Sequence, residues 1–342
     1  MKSYNKMINH NKMKRYSKIL ILFALLVIGT NASATAAEES ANTFEEQKII
    51  EKTFVVDASH QLKINNRYGK VQLNNWDRNQ IKVVVTIRTE ESSRQRAKES
   101  LERVEIVHST QGQVISFETK IGQKSESWWS NLTNTGRSSL SIDYEVHLPK
   151  FTGINIINRY GATIIPDRDG KVDLTVQYGS LKAKKLNADA NRLRISYSSA
   201  EIQTLDEGSI DIKYGKLSLG AANNLELDMS YCSGSSIGQI HDTFSASLKY
   251  SSGFEVGLGK DIKRARIKAS YSGIQVIPNT QAKLDFEVSV SYGQFQYAND
   301  RARISSLTER NRTSKSYTGT WNGGGNGTLA ITSSYGKVSL SY

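Results

Sequence analysis

Residues 172–199 read VDLTVQYGSLKAKKLNADANRLRISYSS, and this stretch contains one complete repeat of the chain. Apolar and polar residues alternate up to Tyr178, a small residue follows it, and the same arrangement returns at Tyr197. Alternation with a period of two is typical of a β-strand that buries one face. After the tyrosine the alternation shifts by one position, which indicates a bend. We expect the glycine after the tyrosine to absorb that bend, because glycine tolerates positive φ.

A tyrosine followed by Gly, Ser or Cys recurs along most of the chain. These tyrosines are Tyr68, Tyr160, Tyr178, Tyr197, Tyr214, Tyr231, Tyr250, Tyr271, Tyr292 and Tyr335. Repeats of about 20 residues indicate a solenoid, and a closed coil of this length has no room for a helix. We therefore predict an all-β fold, a single-stranded parallel β-solenoid wound as a right-handed β-helix. The tyrosines are expected to point inward and to stack as a ladder along one corner.

Outward positions of successive coils agree with sequential stacking. Three pairs of opposite charges would lie side by side: Asp173 with Arg192, Arg194 with Asp211, and Arg266 with Glu287. Such neighbours are mildly favourable, by about 0.2–1 kcal/mol each. One pair does not fit, because Asp211 would lie beside Asp228.

Two segments interrupt the repeat. The tetrapeptide NRYG occurs at 66–69 and again at 158–161, so we expect these two coils to be adjacent, with Asn66 beside Asn158. Residues 74–153 would then be an N-terminal excursion, and the helical spacing within 91–103 predicts one short helix there. The second segment, 298–328, is rich in Arg, Asn, Ser and Gly and is predicted to be a loop insertion before the final coil.

The first 36 residues are typical of a secretory signal. Six Lys or Arg and no acid precede a short apolar run and a small-residue cleavage site, Ala34-Thr35-Ala36. We divide the chain into a signal peptide at 1–36, a linker at 37–50 and a β-solenoid domain at 51–342. The predicted location is outside the cytoplasm, in the periplasm, at the cell surface or in the medium.

Charge and cysteine content exclude several function classes. Removing the signal lowers the formal charge from +12 to +6, and the remaining basic residues are scattered, so nucleic acid is not an expected partner. Cys232 is the single cysteine and stands where other repeats carry Gly or Ser, so it is interpreted as a packing substitute. The histidines have no metal-ligand spacing. We therefore predict neither a metal site nor a cofactor, and the sequence leaves the oligomeric state open.

Tryptophans in the two interruptions are the candidate binding residues. Trp128 and Trp129 lie in a polar stretch at 121–139, and Trp321 lies in the 298–328 segment. Because an indole offers a flat apolar face with a polar edge, these residues suit contact with a cell-surface glycan or another envelope component. The alternative is that they fold back onto the flank of the solenoid.

No catalytic motif stands out, and we predict that the chain is not an enzyme. Glu226 and Asp228 share an outward face and could do acid–base work on a glycoside, but an alternating polar strand often produces such a pair by chance. Two alternatives to a binding protein stay open. One is a structural envelope scaffold without a saturable ligand, and the other is a polysaccharide-active β-helix enzyme.

The two ends of the repetitive region resemble a known family. The segments that carry the resemblance are FVV at 54–56, LKINNRYGKV at 62–71, NWD at 75–77, IKV at 81–83 and SYGKV at 334–338. They are similar to the bacterial putative-adhesin domain family of unknown function. The resemblance implies an exported, envelope-associated β-helical protein with an adhesive or binding role, and it supplies no catalytic residues.

Overall fold

The computed structural model of the chain describes residues 43–122 and 138–342. The predicted signal peptide lies outside the described residues. The predicted linker at 37–50 is wrong in its second half, because the first strand begins at Phe44. Within the described ranges, no helix is long and apolar enough to cross a membrane.

The described residues contain strands and a single short helix, so the all-β prediction is confirmed. The N-terminal elements are β1 Phe44–Val55, β2 Gln61–Arg67, β3 Val71–Asn75, β4 Gln80–Glu91, α1 Arg94–Glu102, β5 Val104–Gln111, β6 Val114–Ile121 and β7 Ser139–Leu148. The central elements are β8 Gly153–Arg159, β9 Ala162–Ile165, β10 Val172–Gln177, β11 Ser180–Leu186, β12 Asn191–Ser196, β13 Ser199–Lys213, β14 Lys216–Ser230, β15 Ser236–Lys249, β16 Phe254–Leu258, β17 Arg264–Ser270 and β18 Ile274–Pro278. The C-terminal strands are β19 Leu284–Ser291, β20 Gln294–Tyr297, β21 Ala302–Asn311, β22 Ser314–Trp321, β23 Gly327–Ser334 and β24 Lys337–Leu340.

The central repeats stack in parallel and in register. Leu174 of β10 pairs with Leu193 of β12, which pairs with Ile210 of β13, which pairs with Leu227 of β14. Strands that follow the tyrosines pair in the same way; for example, β11 pairs with β9 and β13. Buried positions alternate with outward ones in both sets of strands, and the buried aliphatic residues form one continuous core. The repeat therefore fixes which side chain lies beside which.

The corner is built differently from the prediction. Each of the ten tyrosines, and not the glycine after it, has positive φ, between 49° and 63°. The glycine is needed for close approach instead, because a Cβ on Gly161 would collide with the carbonyl oxygen of Gly69 in the neighbouring repeat. Other corners accept a small side chain: Ser272 Oγ receives the amide of Ser251 at 3.0 Å and donates to the Ser270 carbonyl at 2.8 Å.

Cys232 occupies one of these corners, as its position in the repeat suggested. Its side chain is buried, and its Sγ lies 3.3 Å from the carbonyl oxygen of Ser230, which matches the serine corners. Burial raises the pKa of the thiol. The cysteine therefore acts as a packing residue within the corner.

The sheet is mixed, so a wholly parallel single-stranded solenoid is not confirmed. Antiparallel pairs occur at both ends of the array: β1 with β4, β4 with β7, β5 with β6, β19 with β22, and β21 with β22. The edge of a parallel stack exposes unpaired backbone groups, and added strands cover them. The sequence repeat has no period for these strands, which is why the parallel prediction missed them.

At the N-terminal end, the excursion is added outside the first repeat. Asn66 pairs with Asn158 in adjacent parallel strands, and Asn66 Nδ2 lies 3.3 Å from Asn158 Oδ1, as the repeated tetrapeptide predicted. Strands β6 and β7 then cover β2 and β3. The predicted short helix is α1, and it packs on β4, where Thr89 Oγ1 donates to the Ala97 carbonyl at 3.0 Å.

At the C-terminal end, the last repeat is inserted between two earlier ones. Strand β23 lies between β17 and β19, and β24 lies between β18 and β20. The predicted pair of Arg266 with Glu287 is therefore wrong, because both face Ala330 of the intervening strand. The predicted loop at 298–328 is also wrong: most of it is the hairpin β21–β22. Exposed polar residues occupy most of β21 and hide the strand alternation in the sequence.

Candidate functional site

The tyrosine ladder is continuous over all ten rings. Their centroids are 4.7–5.1 Å apart, and the interplanar angles are 2–8°. The expected inward orientation is wrong, because the side chains from Tyr160 onward are 47–59% exposed. Since the tyrosine is itself the left-handed corner residue, its side chain leaves the inward row of the preceding strand. The order also differs from the sequence, with Tyr335 between Tyr271 and Tyr292.

Stacking limits what the ladder can bind. Each ring face is covered by its neighbours, so the stripe presents ring edges and hydroxyl groups along most of its length. An aromatic pair contributes about 0.5–1.5 kcal/mol, while a left-handed non-glycine residue costs about 1–2 kcal/mol. The free energy gained from stacking and the free energy lost to the left-handed backbone are similar in size. We conclude that the ladder aligns the repeats and offsets the strain of its own corners.

The candidate tryptophans do not come together as a site. Trp128 and Trp129 lie outside the described residues. Trp321 ends β22 and is fully buried, with Leu284 and Ala302 as its strand neighbours. Its indole therefore belongs to the core of the C-terminal end, and the prediction that it contacts a ligand is wrong for this structure.

A groove runs along the outward face of β15. Its floor consists of Thr243, Ser245 and Ser247, which are short side chains between two strands with long ones. We call it the serine groove. Two cavities open onto it, with volumes of about 520 Å³ and 300 Å³, and the larger one extends beyond the groove over β13 to Arg192.

The two walls of the serine groove have opposite charges. On β14, Glu226 pairs with Ser245 and Asp228 pairs with Ser247, so both carboxylates stand along one side. The other side is the basic row of β17, which consists of Arg264, Arg266 and Lys268. The two rows are two strand spacings apart, about 10 Å. All five charged side chains are exposed.

Neither wall neutralises the other. Within residues 43–122 and 138–342, none of the five charged side chains forms an ion pair. Elsewhere on the same face, charges do find partners: Arg194 lies 3.0 Å from Asp173, and Lys213 lies 3.4 Å from Asp211. The serine groove therefore retains donors on one wall, acceptors on the other and hydroxyl groups between them.

The basic row has a second small-residue neighbour on its other side. Strand β23 presents Thr328, Ala330 and Thr332 there, and β19 follows with Asp285 and Glu287. The outward side chains are thus acidic on β14, small on β15, basic on β17, small on β23 and acidic on β19. Insertion of β23 creates the second half of this pattern, because it separates the basic row from the acids of β19.

The charged and hydroxyl groups of the serine groove are arranged so that they can bind a ligand. Glu226 and Asp228 lie on one open strand face, and neither side-chain carboxylate makes a hydrogen bond to another described residue. Within the described ranges, no group of three or more His, Cys, Asp or Glu is placed to hold a metal ion. A row of cations facing a row of carboxylates can instead hold hydroxyl groups or paired charges of an extended ligand.

Strongly perturbed ionisable groups lie away from the groove. Burial lowers the pKa of Arg168 to about 10 and raises the pKa of Tyr144 to about 12. Hydrogen bonds from Ser59 and then His60 lower the pKa of Asp57 to about 2. Perturbed pKa values often mark active sites, but these three groups lie in or beside the N-terminal excursion and are separated in the fold from the serine groove. We interpret them as structural.

The sequence contained the walls of the groove but not the groove itself. Glu226, Asp228 and Arg266 stood out as outward charged positions, and sequential stacking paired Arg266 with the wrong strand. The signal that could have found the site is the row of short residues at Thr243, Ser245 and Ser247 between rows of opposite charge.

Comparison with known proteins gives structural neighbours only. No protein-family model and no curated protein matches the chain. One similar solved structure is a “putative cell adhesion protein” from Clostridium sporogenes, with 11% identity, coverage of 86% of this chain and 99% of that chain, and a TM-score of 0.20.

Two further structures come from Parabacteroides. A “putative adhesin” from Parabacteroides merdae has 11% identity, coverage of 86% and 96%, and a TM-score of 0.34. A “putative lipid binding protein” from Parabacteroides distasonis has 10% identity, coverage of 85% and 96%, and a TM-score of 0.34. Two of these three proteins are thus described as adhesion proteins and one as a lipid-binding protein, and each is aligned over nearly its whole length. Identities this low carry no activity or ligand over to the chain.

Proposed function

We propose that the chain is a non-enzymatic, exported β-solenoid of the cell envelope that binds an extended polar polymer in the serine groove. The single observation that carries this proposal is the pair of facing, unpaired charge rows across a floor of short hydroxyl side chains. A cell-surface glycan or a peptide-bearing envelope polymer has the hydroxyl groups or paired charges that such a groove can hold.

Three features support the solenoid and export parts of the proposal. Parallel pairs link the repeats from β8 to β18, with register shifts only at β14–β15 and β15–β16. Residues 1–36 have the charge and hydropathy pattern of a secretory signal. The tyrosine ladder runs unbroken along the array, so the outward faces form a long, regular surface.

A shallow groove on a rigid strand face is a suitable place for binding a polymer. Hydrogen bonds to charged groups contribute about 1.5–3 kcal/mol each, and the strands that present them are held by neighbours on both sides. The groove is open to solvent along its length. A polymer can therefore lie in it without having to pass its end through a closed tunnel. No conformational change is needed to expose the binding groups.

The test is a binding isotherm of the mature chain, residues 37–342, with purified peptidoglycan fragments and a panel of surface polysaccharides. A triple variant changes the basic row to serine: Arg264→Ser, Arg266→Ser and Lys268→Ser. The matched control, Lys182→Ser with Lys184→Ser and Lys185→Ser, removes the same charge from exposed positions of β11. We expect the groove variant to lose more than about tenfold in affinity, which corresponds to about 1.4 kcal/mol, and the control to bind normally.

Other outcomes would replace the proposal. Equal loss in both triple variants would reduce the interaction to nonspecific charge attraction. Turnover of a polysaccharide that disappears in Glu226→Gln would make the chain an enzyme. Absence of saturable binding to every probe, together with an envelope defect in a deletion strain, would favour a structural scaffold.

A further inference from the structure

The C-terminal repeat, residues 327–340, occupies a slot between two earlier repeats. One side of the slot is formed by β17 and β18, and the other by β19 and β20. Hydrogen bonds run to both sides: Tyr271 N donates to the Ser334 carbonyl and Tyr335 N donates to the Ser291 carbonyl, both at 2.9 Å. The slot thus accepts one strand pair, and the C-terminal repeat is the element that fills it.

Side chains of the segment also pack into the slot. Leu329, Ile331, Val338 and Leu340 are at most 1% exposed, and they complete the core between the flanking repeats. Tyr335 fills the ladder, with ring distances of 4.7 Å to Tyr271 and 4.8 Å to Tyr292. All of these contacts would be the same if the segment came from another copy of the chain.

A short glycine-rich hinge joins the segment to the rest of the molecule. Strand β22 ends at Trp321, and Gly323, Gly324 and Gly325 follow with φ of 86°, 74° and 108°. With Asn322, at φ 49°, four consecutive residues have positive φ, and a change in these backbone angles would alter the direction of the chain. A small rearrangement at this hinge redirects the segment away from its own slot.

When residues 327–340 are absent from the slot, the edges of β17 and β19 need not stay exposed. The step from Tyr271 to Tyr292 is 21 residues, the same as the step from Tyr250 to Tyr271, so β19 can stack on β17 in the register that β17 uses on β15. Arg264 would then face Asp285, and Arg266 would face Glu287. Folding can therefore proceed with the slot closed while residues 327–340 are still free.

We propose that two copies of this chain exchange their C-terminal repeats, so that residues 327–340 of each copy fill the slot of the other. Exchange of an identical element is a low-cost route to a dimer, because the contacts of the closed monomer are reproduced between copies. The hinge at Gly323–Asn326 is the part that differs between the two forms.

A disulfide reporter tests the exchange in the mature chain. Lys268 and Thr332 are exposed parallel neighbours, about 4.8 Å apart, which suits a disulfide. The reporter is Lys268→Cys with Thr332→Cys in a Cys232→Ser background. The matched control is Lys268→Cys with Ser247→Cys in the same background, since Ser247 also pairs with Lys268 but lies outside the exchanged segment.

Both variants are refolded over a range of protein concentrations and oxidised, and the products are separated on a non-reducing gel. We expect disulfide-linked dimers of the reporter to increase several-fold with concentration, while the control stays a monomer. A reporter that forms its disulfide only within one chain, at every concentration, would overturn the proposal. If the reporter does not fold, light scattering on the refolded native sequence decides, and a monomer at all concentrations would contradict the exchange.

Discussion

The two ends of the repeat array interrupt the same pattern in opposite ways. At the N-terminal end, 92 residues separate Tyr68 from Tyr160, yet the two rings stack directly at 5.1 Å. At the C-terminal end, the successive tyrosines Tyr271 and Tyr292 are separated by the inserted ring of Tyr335. Distance along the chain is therefore a poor guide to neighbours at either end.

Different interactions hold the two ends. Arg168 at the N-terminal end is fully buried, and its guanidinium donates to Asn75 Oδ1 and to the carbonyls of Pro149 and Thr152. Arg301 at the C-terminal end is half-buried and donates to the Thr280 carbonyl at 3.1 Å and to Asn322 Oδ1 at 3.2 Å. A buried guanidinium thus ties the N-terminal end and a half-buried one ties the C-terminal end, and the proposed exchange of residues 327–340 concerns the less buried end.

The largest expected effect is at the buried arginine. Arg168→Ala removes a side-chain donor from the buried carbonyls of Pro149 and Thr152, and a buried acceptor left without a donor costs about 1–3 kcal/mol. Burial of the charge already penalises the native side chain, as its lowered pKa indicates, so we expect a net loss of about 3 kcal/mol. Arg301→Ala is the counterpart and should lose about 1 kcal/mol or less. Urea unfolding of both variants measures the difference, and equal losses would contradict the contrast between the ends.

Corner glycines give an intermediate effect. A Cβ on Gly161 would collide with the Gly69 carbonyl, and a Cβ on Gly336 would collide with that of Ser272. We expect Gly161→Ala to lower the free energy of unfolding by about 2–3 kcal/mol, because these repeats have no other way to stack. Gly336→Ala should lose less, since residues 327–340 can leave the slot.

Limited proteolysis separates these two glycine variants. The Gly336→Ala chain should be cut within the hinge at Gly323–Asn326, and the Gly161→Ala chain should not be cut there. Identical digestion patterns would remove the distinction between a locked end and an end that can reopen.

The smallest effect tests the order of the strands. Glu287 faces Ala330 and Thr318, so Glu287→Lys should change stability by less than about 0.5 kcal/mol. The reference is Asp173→Lys, which removes a 3.0 Å contact with Arg194 and places a cation beside Arg192. It should cost about 1 kcal/mol at low salt. A similar cost for Glu287→Lys would mean that Glu287 lies beside Arg266 after all.

Much of the candidate site and of the central fold could be read from local pattern. Alternation before Tyr178 or Tyr197 identifies the buried face of each strand, and the NRYG tetrapeptides identify neighbours 92 residues apart. The charged walls of the serine groove were visible as outward positions. The strands that lie beside these walls could not be predicted, because the pattern does not show which strand lies next to β17 in space.

The sequence by itself determined the repeat, its register and the stacking of the first two NRYG corners. These depend on side chains that recur at a constant spacing and match themselves across adjacent parallel strands. Only the tertiary structure decided the left-handed tyrosine, the antiparallel strands at both ends and the insertion of β23 between β17 and β19. Those features depend on how the open sheet edges are covered and on how closely neighbouring backbones approach each other. The alternation of residues within a single strand carries no information about either.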